Sequence, residues 1–185
     1  MEIIKTKLKD CYIIEPKVFG DERGYFFESF HKEKFKVETG LDIDFVQDNQ
    51  SSSKYGVLRG LHLQFGEYAQ AKLVRVLSGR VLDIAVDLRE ESETYGQYEA
   101  VELSADNKRQ FFVPRGFAHG FVVLSESAEF FYKCDNYYAP SYEGGIFYND
   151  KDLNIDWGIP QSEMIISEKD QKLPSLSDFK NTKLS

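Results

Sequence analysis

The feature that most constrains the fold is a strict alternation of side chains at residues 80–88. Every second position carries a large aliphatic residue, namely Leu82, Ile84, Val86 and Leu88. The intervening positions hold Val81, Asp83, Ala85 and Asp87. A period of two is the pattern of a β-strand, whose successive side chains point to opposite faces. The segment is therefore predicted to be a strand with one apolar face, its other face turned toward a partly polar barrel interior.

Other segments of similar length indicate that most of the chain is β-structure. Ser78 and Gly79 separate the strand above from an apolar strand at residues 73–77, as in a hairpin turn. Further strands are predicted at residues 98–103, 110–113, 117–124 and 128–134. One helix is predicted at residues 30–39, with Gly40 as its stop signal. The sequence thus favours an all-β, mainly antiparallel sandwich or barrel with few short helices.

The charge balance restricts the partners of the chain. It has 23 Lys and Arg against 31 Asp and Glu, a formal net charge of −8, which argues against binding nucleic acid or anionic lipid. No segment approaches the roughly 20 apolar residues that cross a bilayer, and residues 1–12 lack the apolar core of a signal peptide. We therefore expect a cytoplasmic protein in which residues 1–185 form one domain. Cys11 and Cys134 lie far apart and are expected to be buried free thiols.

Two of the three histidines occur in patterns that suggest a function. His62 follows Arg-Gly-Leu, and His119 ends Pro-Arg-Gly-Phe-Ala-His, each at the margin of a strand. This spacing resembles the two motifs of metal-binding cupins, but Gln64 and Lys72 replace a histidine and a glutamate ligand. Because an ammonium group repels a divalent cation, we expect a cupin-type double-stranded β-helix, or jelly-roll, barrel without metal. The third histidine, His31, lies in the charged predicted helix and is expected at the surface.

The surroundings of His62 make it a candidate general base. Nearby positive charge disfavours imidazolium and keeps a free ring nitrogen available near neutral pH. A carboxylate would orient the ring and stabilise it once protonated, and the residues alone leave three candidates: Asp83, Asp87 and Asp170. Tyr132, on a predicted strand, is a candidate proton donor, although packing is the commoner role of a tyrosine.

Five segments taken in order resemble the dTDP-4-dehydrorhamnose 3,5-epimerase family of deoxysugar biosynthesis. They are Phe-Gly-Asp-Glu-Arg-Gly-Tyr-Phe-Phe-Glu-Ser at 19–29, Phe-Val-Gln-Asp-Asn-Gln-Ser at 45–51, Leu-Arg-Gly-Leu-His at 58–62, Pro-Arg-Gly-Phe-Ala-His at 114–119 and Ser-Glu-Lys-Asp at 167–170. Any one segment would be weak, but five in register cover nearly the whole chain. One departure from the family pattern is Tyr148, where a tryptophan is usual.

The resemblance implies a role for each matching position. His62 would be the proton acceptor, Asp170 its dyad partner, and Tyr132 the proton donor on the opposite face of the sugar. Lys72 would lie beside the sugar carbonyl. The other implied substrate contacts are Gln47, Asn49, Arg59 and His119, with Tyr138 stacked on thymine and Glu143 and Lys169 at the pocket margin. Phe19, Arg23 and Glu28 resemble a segment that reaches the nucleotide from a partner subunit.

The implied reaction epimerises dTDP-4-dehydro-6-deoxy-D-glucose at C3 and C5 to dTDP-4-dehydro-L-rhamnose, in a homodimer that uses no cofactor. The chain has no Gly-x-Gly-x-x-Gly turn, which agrees with a reaction that moves no hydride. Three alternatives stay open at this point. They are an epimerase acting on one carbon of a related keto-sugar, a sugar-binding cupin without catalysis, and a metal-dependent cupin isomerase or oxygenase.

Overall fold

The computed structural model describes residues 1–182, most of which lie in β-strands. Strands β1 to β7 are Glu2–Lys5, Tyr12–Glu15, Val18–Asp21, Gly24–Phe27, Gln47–Lys54, Val57–Gln64 and Lys72–Ser78. Strands β8 to β14 are Arg80–Asp87, Tyr98–Ser104, Gln110–Val113, Phe117–Val123, Ser127–Cys134, Glu143–Gly145 and Ile165–Ile166. Helices α1 and α2 are Lys32–Thr39 and Leu176–Thr182. Short 3-10 helices lie at Gly66–Tyr68, Pro140–Tyr142, Gln161–Glu163 and Asp170–Lys172.

Two antiparallel sheets pack against each other. One has the strand order β1-β2-β10-β7-β12-β5, and the other has the order β13-β6-β11-β8-β9. Strand β14 pairs in parallel with the start of β6, and β3 and β4 form a separate hairpin. The all-β, mainly antiparallel fold with two short helices is the one expected from the sequence, and that prediction is confirmed.

The alternation along β8 has the predicted consequence. Val81 and Ala85 belong to a core cluster that joins side chains from both sheets, so they point between the sheets. Asp83 lies on this same inner face of the strand and is fully buried. Ile84 and Val86 point the other way and pack against the C-terminal tail, the segment that contains Trp157 and Phe179. The strand is therefore buried on both faces, and its carboxylates are on the inner one.

The outer face of each sheet has its own cover. The tail places Trp157 and Phe179 on the outer face of the sheet that contains β6 and β8. Helix α1 places Phe35 on the outer face of the other sheet. This helix ends, as predicted, at Gly40, which has a φ of 77° and donates its N–H to Lys36 O at 2.8 Å. That left-handed conformation is readily adopted by glycine.

Strand β5 was not identified from the sequence because its residues, Gln-Asp-Asn-Gln-Ser-Ser-Ser-Lys, are almost all polar. It is ordered by pairing with β12 at all eight positions, as an edge strand with one face toward the barrel.

The predicted buried free thiols, Cys11 and Cys134, are confirmed. Across residues 1–182, no helix has the length and apolar character that spanning a membrane requires.

Candidate active site

The centre of the candidate site is a hydrogen bond between His62 and Asp170. His62 lies near the end of β6, and Asp170 begins a 3-10 helix 108 residues later. The imidazole Nε2 lies 2.7 Å from Asp170 Oδ1. The His62 side chain keeps 28% of its surface exposed while that of Asp170 keeps 5%. The carboxylate is thus held inside the protein, and the ring reaches the cavity.

Three hydrogen bonds, including the one to His62, hold the Asp170 segment in place. Asp170 Oδ2 accepts the Gly60 N–H at 3.2 Å, and the Asp170 N–H donates to Ser167 Oγ at 3.1 Å. Burial raises the pKa of Asp170, but the hydrogen bond and charge of His62 and the Gly60 N–H outweigh it, so this pKa lies below its ordinary value. An ionised Asp170 can only accept, which makes His62 Nε2 the donor and, in the neutral ring, leaves Nδ1 with the free lone pair.

Two glycines allow the backbone around His62 to approach the neighbouring strand. A Cβ on Gly60, whose φ is +136°, would lie 2.6 Å from Gly120 Cα on β11, and a Cβ on Gly120 would lie 2.6 Å from Arg59 O. Neither distance is compatible with a side chain. This close approach coincides with a register shift in the β6–β11 pairing, next to the position where His62 faces His119. The Arg-Gly-Leu-His motif is thus a backbone requirement as well as a chemical one.

The facing sheet contributes Tyr132 from β12 and Lys72 from β7, two strands that are hydrogen-bonded neighbours. Lys72 Nζ lies 6.0 Å from the centre of the Tyr132 ring. Loss of water contact raises the pKa of the Tyr132 hydroxyl and lowers the pKa of Lys72, while Asp83 and Glu143 oppose the shift of Lys72. The Tyr132 hydroxyl therefore keeps its proton at neutral pH.

The three carboxylates that the sequence left open have three different partners. Asp170 pairs with His62, Asp83 Oδ1 lies 2.8 Å from His119 Nε2, and Asp87 Oδ2 lies 2.8 Å from Arg89. Asp83 is fully buried, which raises its pKa, and its Oδ2 has no hydrogen-bond partner within residues 1–182.

These groups surround two adjoining compartments. The main compartment, of about 550 Å³, is lined by both sheets and by the Asp170 segment. Its predicted site residues are Arg59, His62, Lys72, His119, Tyr132, Lys169 and Asp170. The side compartment, of about 280 Å³, shares His62, Lys72 and Tyr132 with the main one. It adds Gln47, Asn49, Tyr138 and Glu143. Eleven predicted residues thus line these two adjoining compartments.

A chain of polar contacts borders the mouth of the side compartment. The Tyr138 hydroxyl donates to Glu143 Oε2 at 2.8 Å, and Lys169 Nζ donates to the same oxygen at 2.6 Å. The Lys169 and Tyr138 hydrogen bonds keep the pKa of Glu143 below its ordinary value, although its burial acts the other way. The mouth therefore carries an aromatic ring beside an ion pair.

The remaining predicted contacts, Phe19, Arg23 and Glu28, are not at this cavity. Phe19 and Arg23 line a separate open hollow of about 400 Å³ on the β3–β4 hairpin. Glu28 is exposed and accepts a hydrogen bond from Lys34 at 2.8 Å. Tyr25 and Phe26 of the hairpin are 64% and 70% exposed, which is unusual for large apolar side chains.

Among the polar residues that line the side compartment, Gln64 and Gln70 were not predicted as site residues. The sequence indicated Gln64 only as a departure from the metal-binding pattern. Its position two residues after His62, on the same face of β6, is the signal that could have placed it in the cavity. Among the described residues, no cluster of three or more His, Cys, Asp and Glu side chains is arranged to hold a metal ion.

The arrangement is suited to moving a proton across a bound molecule. A histidine with a free Nδ1 lies on one wall of the cavity, and a neutral tyrosine lies on the facing wall. An ammonium group, from Lys72, lies beside the tyrosine and can stabilise negative charge that develops between them.

Known proteins match nearly the whole chain. Residues 5–178 match the family model described as dTDP-4-dehydrorhamnose 3,5-epimerase. The chain is 56% identical over 176 residues to the dTDP-4-dehydrorhamnose 3,5-epimerase of Salmonella typhimurium, covering 95% of this chain and 96% of that protein.

Solved structures of the same kind superpose closely. A dTDP-4-dehydrorhamnose 3,5-epimerase from Elizabethkingia anophelis NUHP1 has a TM-score of 0.94 and 65% identity, covering 96% of this chain and 97% of that one. A dTDP-6-deoxy-D-glucose-3,5-epimerase from Legionella pneumophila Philadelphia 1, solved with dTDP-4-keto-L-rhamnose, has a TM-score of 0.91 and 50% identity, covering 95% and 93%. The predicted cupin-type fold is confirmed by these neighbours.

Proposed function

The chain belongs to the dTDP-4-dehydrorhamnose 3,5-epimerase family and is an isomerase of rhamnose biosynthesis, and we propose that it inverts both C3 and C5 of dTDP-4-dehydro-6-deoxy-D-glucose. The product would be dTDP-4-dehydro-L-rhamnose, a precursor for cell-surface polysaccharide. One observation supports this most directly. The His62–Asp170 pair, 2.7 Å apart, and Tyr132 line opposite walls of the same cavity.

The proposed step begins with the C4 ketone, which acidifies the hydrogens on C3 and C5. His62 Nδ1 removes the C3 proton and becomes imidazolium, while the electron pair of the broken C–H bond moves into an enolate. Lys72 stabilises the enolate oxygen electrostatically. Tyr132 then donates its hydroxyl proton to C3 from the other face, and the centre is inverted. Reset of both groups through solvent allows the same cycle at C5.

Asp170 acts on this step through His62. Its ionised carboxylate fixes the ring so that Nδ1 is the basic nitrogen, and it stabilises the imidazolium that forms. The substrate's nucleotide would lie toward the side compartment, where Tyr138 offers a stacking surface beside Gln47, Asn49 and Glu143. Arg59, His119 and Lys169 would contact substrate from the main compartment.

Deuterium incorporation tests the double inversion. Incubated in deuterium oxide with dTDP-4-keto-6-deoxyglucose, the protein should introduce deuterium at both C3 and C5 and give the couplings of the doubly inverted sugar, as read by proton NMR. Deuterium at only one carbon would identify a mono-epimerase of the same family. Binding of the sugar nucleotide without any exchange would instead favour the sugar-binding cupin.

Lys72 gives a pH prediction. Its ammonium is the form that stabilises an enolate, and the pKa of Lys72 is lowered from the ordinary 10.5 by loss of water contact. Activity should therefore be present below that pKa and lost as pH rises through it, with the basic limb of kcat/KM below pH 10.5. Lys72→Arg should move this limb to higher pH, because a guanidinium stays protonated, and Lys72→Met should lower kcat by about 100-fold. An unchanged basic limb in Lys72→Arg would contradict this assignment.

The absence of a metal requirement stays a prediction. Gln64 and Lys72 occupy two positions where a cupin would place ligands, and Lys72 would repel a divalent cation. A preparation made without chelators should be fully active with substoichiometric metal. Activity that followed a bound transition metal would favour a metal-dependent isomerase or oxygenase.

A homodimer is proposed because Phe19, Arg23 and Glu28 lie away from the cavity of their own chain. Light scattering should give about twice the 21.4 kDa chain mass. Phe26→Ser, on the exposed hairpin, should weaken the dimer and raise KM about tenfold, whereas Val37→Ser, equally exposed on α1, should change neither. A monomer with full activity would contradict a shared site. The cytoplasmic location stays a prediction.

A further inference from the structure

The loop at residues 136–139 follows β12 and carries Tyr138 at the mouth of the side compartment. We infer that three glutamines, Gln47, Gln64 and Gln70, position this loop and thereby set the affinity for the nucleotide part of the substrate. We name these three residues the glutamine clamp. The inference rests on the proposed function, since it takes Tyr138 as a nucleotide contact.

Every residue of the loop is bonded to the glutamine clamp through its backbone. Gln70 Nε2 donates to Asn136 O at 2.8 Å, and Gln64 Nε2 donates to Tyr137 O at 3.1 Å. The Tyr138 N–H donates to Gln47 Oε1 at 3.0 Å, and the Ala139 N–H donates to Gln64 Oε1 at 2.6 Å. Four consecutive residues are thus held by side chains that come from β5, the end of β6 and the segment before β7.

The loop receives little support from the backbone of the rest of the protein. Its flanks are tied by Asp135 N–H to Ala71 O at 3.1 Å and by Tyr142 N–H to Ala139 O at 3.0 Å. Between these ties, in the part of the chain that the structure describes, residues 136–138 make no backbone-to-backbone hydrogen bond. The Asn136 side chain also holds the start of the loop, because its Nδ2 donates to Glu67 O at 2.8 Å and its Oδ1 accepts the Tyr137 N–H at 2.9 Å. The Tyr138 and Ala139 N–H groups have only the glutamine carboxamides as partners among the described residues.

Gln64 is the central member of the clamp. It is 5% exposed, and its amide also donates to Tyr68 O at 2.8 Å, so both N–H groups and the oxygen are used. Only a carboxamide on a side chain of this length can donate two hydrogen bonds and accept one with its terminal group. A carboxylate would face two carbonyl oxygens, and an apolar side chain would leave three backbone groups unpaired.

The clamp acts on Tyr138 by holding the backbone on both sides of it. The Tyr138 side chain is 53% exposed and makes one hydrogen bond, to Glu143, so the ring is not held by packing. A loosened loop would have to be ordered when the nucleotide binds, and that ordering weakens binding. The reacting carbons would lie elsewhere, between His62 and Tyr132, so the chemical step should be spared.

The test is a double-mutant cycle with Gln64→Met and Gln70→Met, each made alone and together with Tyr138→Ala. Each glutamine variant should raise KM and the Kd for free dTDP about tenfold. Their kcat values should stay within about threefold of the unmodified protein. In the Tyr138→Ala background the same changes should have no further effect on dTDP affinity. Gln50→Met, exposed on β5 and bonded to Glu129 outside the cavity, is the matched control.

Amide hydrogen exchange gives a readout that does not need activity. Exchange of the peptide covering residues 136–139 should quicken about tenfold in Gln64→Met and in Gln70→Met, and stay unchanged in Gln50→Met. Gln70 is half-buried and makes one clamp bond, so Gln70→Met keeps the test available if Gln64→Met unfolds.

Two results would overturn the inference. One is unchanged dTDP affinity in Gln70→Met. The other is a loss of dTDP affinity in the glutamine variants that is the same with Tyr138 present and with Tyr138→Ala. Failure of the unmodified protein to bind dTDP would overturn both the inference and the proposed function. Binding of dTDP without epimerisation of the keto-sugar would overturn the proposed function alone, and the clamp would still be measured through dTDP affinity.

Discussion

His62→Ala should lower the rate of deuterium exchange at C3 and C5 of the keto-sugar by about 10²–10⁴-fold, the usual contribution of a general base. The reason is that His62 Nδ1 is the nitrogen left with a lone pair when Asp170 holds Nε2 at 2.7 Å. The binding of dTDP should change little, because His62 is assigned to the sugar carbons and not to the nucleotide. The measurement is single-turnover exchange followed by proton NMR.

Two comparisons make this result specific. His31→Ala removes a histidine that makes no side-chain cap at the start of α1, and it should keep full activity. Asp170→Asn keeps a group of similar shape beside His62 but loses the negative charge, so it should retain more exchange than His62→Ala. Exchange at the normal rate in a folded His62→Ala protein would rule out His62 as the base.

Tyr132→Phe should separate proton removal from inversion. Without the hydroxyl, His62 still removes the proton and can return a deuteron to the same face of the enolate. Formation of the inverted product should fall by about 10²–10³-fold, while exchange with retention continues. NMR can measure both in one sample, because the retained and inverted sugars give different couplings.

The control for this prediction is Tyr55→Phe. Tyr55 lies at the turn between β5 and β6, and the substitution removes its hydroxyl, which is hydrogen-bonded to Glu163. It should leave exchange and inversion unchanged. Equal loss of exchange and inversion in Tyr132→Phe would show that the tyrosine is needed for proton removal, and would contradict its assignment as donor from the facing wall.

Local patterns were sufficient for the central strands. The alternation along β8 predicted both its inner face, with Val81 and Ala85, and its outer face, with Ile84 and Val86. Local patterns did not identify β5. This polar edge strand has no hydrophobic alternation of its own and is ordered by pairing with β12. The helix prediction was two residues too long at its start and correct at Gly40.

The residues of the candidate site were likewise predictable from local patterns only in part. Residue type and spacing alone pointed to His62, Lys72 and His119, and to Tyr132 as a candidate donor. They left Asp83, Asp87 and Asp170 open as the partner of His62, and the family resemblance chose Asp170. In the structure each carboxylate has a different basic partner.

By itself, then, the sequence determined the β-rich architecture, the position of the candidate base, and the loss of two cupin metal-ligand positions at Gln64 and Lys72. These properties depend on side-chain period and on short spacings along one chain segment. The tertiary structure decided what depends on contacts between distant segments. Examples are the His62–Asp170 hydrogen bond, across 108 residues, and the Gln64–Ala139 hydrogen bond, across 75 residues. Such pairs form because the fold brings the ends of separate strands and loops to one cavity, and no local pattern encodes that meeting.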